Sequence, residues 1–88
     1  MAATADGPSM NVEMRTELDP HLANRLRVVR AERDLSQGEL AHLVGVSRQT
    51  ISSIETGQYT PSALLALLIA DALEKPVTDL FWIEGGTR

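Results

Sequence analysis

The stretch Ser36-Gln37-Gly38-Glu39-Leu40-Ala41-His42-Leu43-Val44-Gly45-Val46-Ser47-Arg48-Gln49-Thr50-Ile51-Ser52-Ser53-Ile54-Glu55-Thr56-Gly57 decides how this chain folds. Ser36 followed by Glu39 has the spacing of a capping box, in which the hydroxyl accepts from the residue-39 amide and the carboxylate reaches back to the cap amide. A helix is expected over 37–44, burying Leu40, Ala41 and Val44. Gly45 suits the left-handed residue that ends such a helix, and Ser47, two residues later, offers a new N-cap. A second helix is expected over 48–55 with Ile51 and Ile54 inward. Helices joined this tightly must cross steeply. Ala41 lets the backbones come close at the crossing, and Val46 and Ile51 fill the angle.

Working outward, Asp19-Pro20 reads as a helix opening, a capping carboxylate before a residue with φ already set, and Leu22, Leu26 and Val29 then recur at helical spacing. This predicts a first helix over about 20–33. Residues 1–18 contain Gly7-Pro8-Ser9, are rich in small and polar types and show no helical period, so a flexible arm is expected. The alternation of Met10, Val12 and Met14 leaves open a short strand that forms only by pairing. Downstream, Gly57, Tyr59 and Pro61 interrupt the period and make 56–61 a loop. A fourth helix is expected over 62–74, stopping before Pro76. A short fifth over 77–82 would bring in Val77, Leu80 and Phe81. The expected fold is all-α, a compact bundle of five short helices with essentially no strand. Its domain would span 19–84, with 85–88 as a tail.

Composition narrows the function classes. The 88 residues hold no cysteine and two separated histidines, His21 and His42, which speaks against a disulfide scaffold or a zinc site. Neither a paired nucleophile and base nor a glycine-rich phosphate loop stands out, so neither catalysis nor a metal or other cofactor is expected. The longest apolar run, Ala63 to Ala70, is far short of the ~20 residues that cross a bilayer. With no leader-like start, a one-domain, cytoplasmic protein without a separate sensing domain is expected. The net charge is −4, which opposes nucleic-acid binding, but its distribution favours it. Residues 21–60 carry five arginines against four acids, while both flanking segments are acidic. Arginine's planar fork suits phosphate and guanine.

A capped helix, a glycine turn and a second capped helix give the geometry of a helix-turn-helix, which holds the second helix off the body so that its N-terminal end can enter the major groove of duplex DNA. Leu35-Ser36-Gln37, Glu39-Leu40-Ala41, Gly45-Val46-Ser47-Arg48-Gln49-Thr50-Ile51-Ser52, Ile54-Glu55-Thr56-Gly57 and Pro61-Ser62 together resemble the phage-repressor family of helix-turn-helix proteins, which includes the lambda repressor and Cro. The resemblance covers about residues 22–83 and implies a five-helix, lambda-repressor-like DNA-binding domain. It implies base contacts from Arg48, Gln49 and Ser53, and a phosphate contact from Gln37. Arginine can fork onto guanine and glutamine onto adenine, each good pair giving ~1–3 kcal/mol of discrimination. Ser47, Thr50, Thr56 and Tyr59 are further candidates for phosphate contacts. The resemblance also implies an ion pair between Arg30 and Glu55 that holds the second helix of the motif at its angle. Three positions depart from the family pattern: Gly38 stands where a helix former is usual, Asp34 where a glycine ends the first helix, and Thr56 where asparagine is common.

Each candidate has a plainer reading. Ser47 caps its helix with or without DNA, Arg48 and Gln49 can be solvated first-turn residues, Ser52 and Ser53 can be ordinary surface, and Tyr59 can cover a loop. Helix 4 is apolar on every side, where one core needs a single stripe. Taking Ala63, Ala66, Leu67, Ala70 and Leu73 as the inward stripe leaves Leu64, Leu65 and Leu68 outside, with Trp82 and Ile83 nearby. Such a patch marks an interface, and a symmetric homodimer with two reading helices is expected, with help from residues 10–14. The alternative is that residues 1–18 cover this surface in a monomer. For function, a transcriptional regulator, most simply a repressor binding double-stranded DNA, stands beside a protein-interaction module or antitoxin that binds a protein partner.

Overall fold

In the computed structural model, which describes residues 19–86, a short strand β1 (His21–Asn24) leads into four helices: α1 (Leu26–Glu32), α2 (Gln37–Val44), α3 (Arg48–Glu55) and α4 (Ala63–Leu73). A single 3-10 turn, Val77–Asp79, then leads into strand β2 (Phe81–Glu84). The expectations for residues 1–18, a flexible arm or a pairing strand, lie outside the described residues. Helices α2 and α3 have the predicted limits and α4 differs by one residue at each end, because their ends are written locally. Ser36 Oγ accepts from Glu39 N at 3.0 Å and Glu39 Oε1 from Ser36 N at 2.8 Å, closing the capping box. Ser47 and Ser62 accept from the amides of Thr50 and Leu65, both at 3.1 Å. Gly45 ends α2 with φ +79°, a conformation that costs glycine nothing.

The ends of the domain differ from the sequence reading. Instead of five helices there are four among the described residues: of the expected fifth helix only Val77–Asp79 turns, as a 3-10 turn, and Phe81–Glu84 pairs with the segment expected to begin helix 1 as an antiparallel two-stranded sheet. Its register sets His21 opposite Glu84, Leu22 opposite Ile83, Ala23 opposite Trp82 and Asn24 opposite Phe81. Asp19-Pro20 therefore opens no helix. α1 begins six residues later, where Asn24 Oδ1 accepts from Leu26 N at 3.0 Å and Arg25 N bonds Leu80 O at 3.0 Å. The chain closes on itself at this sheet. A methyl group in place of the Gly85 hydrogen would lie 2.5 Å from the Asp19 carbonyl oxygen, so only glycine fits.

One core joins all the elements. Leu26 and Val29 of α1, Leu40 and Ala41 of α2, Ile51 and Ile54 of α3, and Leu65, Ile69, Ala70 and Leu73 of α4 are buried together with Leu80 and Phe81. The inward stripe of α4 is thus not the one read from sequence. Leu65 is 8% exposed and belongs to the core, whereas Leu67 is 56% exposed, so the two exchange roles. The helix is apolar all round, and its own pattern does not tell which side is covered. Packing against α2 and the 3-10 turn selects the Leu65-Ile69-Leu73 ridge, spaced four residues apart.

Candidate nucleic-acid interface

α3 presents one half of its surface to the core and the other to solvent. Ile51 and Ile54 are 0% and 1% exposed, while Arg48 and Gln49 in the first turn are exposed and Ser52 and Ser53 half-buried. Arg48 forms no ion pair among the described residues, and its stem passes the start of α2, where a methyl on Gly38 would lie 3.9 Å from Arg48 Cδ. Gln49 Nε2 lies 3.4 Å from Ser53 Oγ, a weak contact that a better partner can displace. Ser47 caps the helix and its hydroxyl also lies 3.0 Å from Thr50 Oγ1. Thr56 Oγ1 donates back to Ser52 O at 3.1 Å, and Tyr59 is exposed on the following loop.

The far end of α3 is tied down by polar groups. Arg30 Nε donates to Glu55 Oε2 at 2.7 Å and its second amino nitrogen reaches Oε1 at 3.3 Å. The remaining guanidinium nitrogen donates to Leu35 O at 2.7 Å. One side chain of α1 therefore links the turn before α2 to the last residue of α3. Gln37 completes the cluster by donating an amide hydrogen to Glu55 Oε1 at 3.0 Å. A primary amide has two N–H donors, so a second remains to serve another acceptor. The carboxylate of Glu55 is fully enclosed, and removing one partner of such a pair strands a buried charge.

Two residues escaped the sequence reading. Asn24, the residue before the N-cap Arg25, accepts from the first amide of α1 through its oxygen, while its nitrogen donates to Ile54 O at 3.0 Å, a carbonyl at the C-terminal end of α3. Asparagine is a favoured capping type, but Asp19-Pro20 carried the stronger local pattern. Arg27 approaches Glu55 Oε1 with Nε at 3.9 Å, and only tertiary packing brings them together. The exposed apolar residues Leu64, Leu67 and Leu68 form one stripe on α4, away from this cluster in sequence. Trp82 and Ile83 are 37% and 57% exposed, but adjacent strand residues point to opposite faces, so they do not form one patch. The Trp82 ring instead donates to Glu84 Oε2 at 3.0 Å. His21 pairs with the same carboxylate across the sheet at 3.8 Å, and His42 is exposed on α2.

The helix-turn-helix family model matches residues 26–80, from the start of α1 to the last buried leucine. The chain is 44% identical over 63 residues to the uncharacterized HTH-type transcriptional regulator YgzD of Bacillus subtilis, an alignment that spans 72% of this chain and 96% of that protein. Among solved structures it is similar to the restriction-modification controller protein C.AhdI from Aeromonas hydrophila. There the identity is 36% and the TM-score 0.60, over 62% of this chain and 83% of that one. The clp gene regulator ClgR from Corynebacterium glutamicum is similar at 33% identity and TM-score 0.59, over 61% of this chain and 57% of that one. The chain belongs to the Cro/C1-type helix-turn-helix family. It is a DNA-binding transcriptional regulator and not an enzyme.

Proposed function

We propose that α3 lies in the major groove of an operator with Arg48, Gln49 and Ser53 toward base edges, and that the protein represses by occluding a promoter. The observation that carries this reading is the exposed, capped first turn of α3, whose two long polar side chains have no strong partner among the described residues. Gln37 can donate its second amide hydrogen to a phosphate without leaving Glu55. Ser47 and Thr50 flank the first turn, Tyr59 lies on the loop after the other end of α3, and the Thr56 hydroxyl must turn from Ser52 O to reach a phosphate. The Arg30–Glu55 pair serves this arrangement by fixing the angle of α3.

Two copies acting together supply what one cannot. A single unit touches few base pairs, and half-sites about one helical turn, ~34 Å, apart double the readout. The stripe of Leu64, Leu67 and Leu68 is the surface best suited to hold a second copy. Among the described residues no helix is long and apolar enough to cross a membrane, and the proposed place of action is with the chromosome in the cytoplasm.

Selection of bound fragments from genomic DNA tests the reading. Binding should be selective and should weaken steeply with salt. Arg48→Ala and Gln49→Ala should each change the preferred sequence, whereas Gln37→Ala should weaken all duplexes alike. Variants that leave the preferred sequence unchanged would overturn the assignment of α3. Sedimentation at micromolar concentration tests the pairing of copies, and a species that stays monomeric on DNA and off it would end that part.

A further inference from the structure

The cluster at the end of α3 holds more positive charge than it cancels. Glu55 supplies one carboxylate, fully enclosed, and Arg30 already grips both of its oxygens. Arg27, one turn earlier on α1, also faces Oε1, but at 3.9 Å it is beyond hydrogen-bond range, and 72% of its side chain stays exposed. Arg27 pairs with no second carboxylate among the described residues. Glu39 lies about 200° around α2 from Gln37 and is occupied with the Ser36 amide. One carboxylate therefore faces two guanidiniums, and the uncancelled charge is on the outer one. Gln37 Nε2 converges on the same Oε1 atom at 3.0 Å, so the loosely paired outer cation and the amide with a spare donor both approach one oxygen.

We infer that Arg27 binds a backbone phosphate of the operator next to the one taken by Gln37. The inference rests on the reading that α3 enters the groove, and it adds a contact from α1. A guanidinium presents a planar fork that matches phosphate oxygens, and its charge stays on at any pH the protein survives. Arg27 sits beside the C-terminal end of α3, remote from the base-reading first turn, so it contributes affinity without sequence information. A chain with net charge −4 needs such local excesses of positive charge to approach DNA at all.

The full chain, titrated onto a fluorescent operator duplex and a scrambled one between about 50 and 200 mM salt, tests this. Arg27→Gln should weaken both duplexes alike, roughly 3- to 10-fold, and reduce the slope of log affinity against log salt by about one. Arg27→Lys should keep the slope, and neither change should move the melting temperature. A wild-type slope in Arg27→Gln overturns the inference, as does a loss confined to the operator. A lowered melting temperature with an unchanged slope would mean that Arg27 only steadies Glu55, and it too overturns the inference. If the unaltered protein shows no selective binding, or Arg48 and Gln49 variants keep its preference, the reading of α3 fails by itself.

Discussion

α3 and α4 are built by the same rules and end with opposite surfaces. Each starts at a serine that accepts from the amide three residues on, and each lays isoleucines or leucines spaced three to four apart on the common core. Outward, α3 shows arginine, glutamine and serine, while α4 shows Leu64, Leu67 and Leu68. Their anchoring differs too. α3 is held at its C-terminal end by Glu55 and by Asn24 on the Ile54 carbonyl, and its first turn is exposed among the described residues. α4 is held along its length by packing, with one exposed link from Arg33 to Glu74 at 3.0 Å beyond its end. A helix tied at one end by polar groups can offer the other end to a wet, charged partner. A helix wrapped in leucine suits only an apolar one.

The largest expected effect falls on the anchor of α3. Arg30→Met leaves the enclosed carboxylate of Glu55 without its main partner and should cost about 3–5 kcal/mol in denaturant unfolding. A double-mutant cycle with Glu55→Gln should show strong coupling, and additivity would sink the anchoring argument. For α4 the corresponding anchor is Ile69, 0% exposed, and Ile69→Ala should cost about 2–5 kcal/mol. Gly38→Ala should instead stabilise by about 1 kcal/mol, because the added methyl lies at ordinary contact distance, 3.9 Å, from both Arg48 Cδ and Ser36 Oγ. A lower midpoint in that variant would show that the start of α2 needs its glycine. The smallest effect belongs to the outward face of α4. Leu67→Ser should change unfolding of the isolated chain by less than about 0.5 kcal/mol, while sedimentation should show weaker pairing of copies. A cost near that of Ile69→Ala would mean that Leu67 is covered within one chain.

The residues from Ser36 to Leu73 could be placed before any coordinates, because each boundary there rests on a contact within four residues. The Ser36–Glu39 box, the Gly45 turn and the caps at Ser47 and Ser62 are all of this kind. Gly38, Asp34 and Thr56 departed from the family pattern without altering the path. Asp34 takes the left-handed conformation with φ +57° that a glycine would have adopted. The site was legible to the extent that its residues lie on α2 and α3. Asn24 and Arg27 were missed because their partners, Ile54 and Glu55, lie 28 or more residues away and no local spacing announces them.

The order, limits and inward faces of α2 and α3 were written in the chain itself, since capping bonds and a four-residue period are satisfied locally. The strands at either end, and the side of α4 that is covered, were settled only when distant segments met. Leu22 and Leu26 fit a helix as well as they fit a strand followed by a helix, and Phe81-Trp82-Ile83 is ambiguous alone. What tips both is pairing across the whole domain, His21 to Glu84, where each strand satisfies backbone groups that no neighbour in sequence could reach.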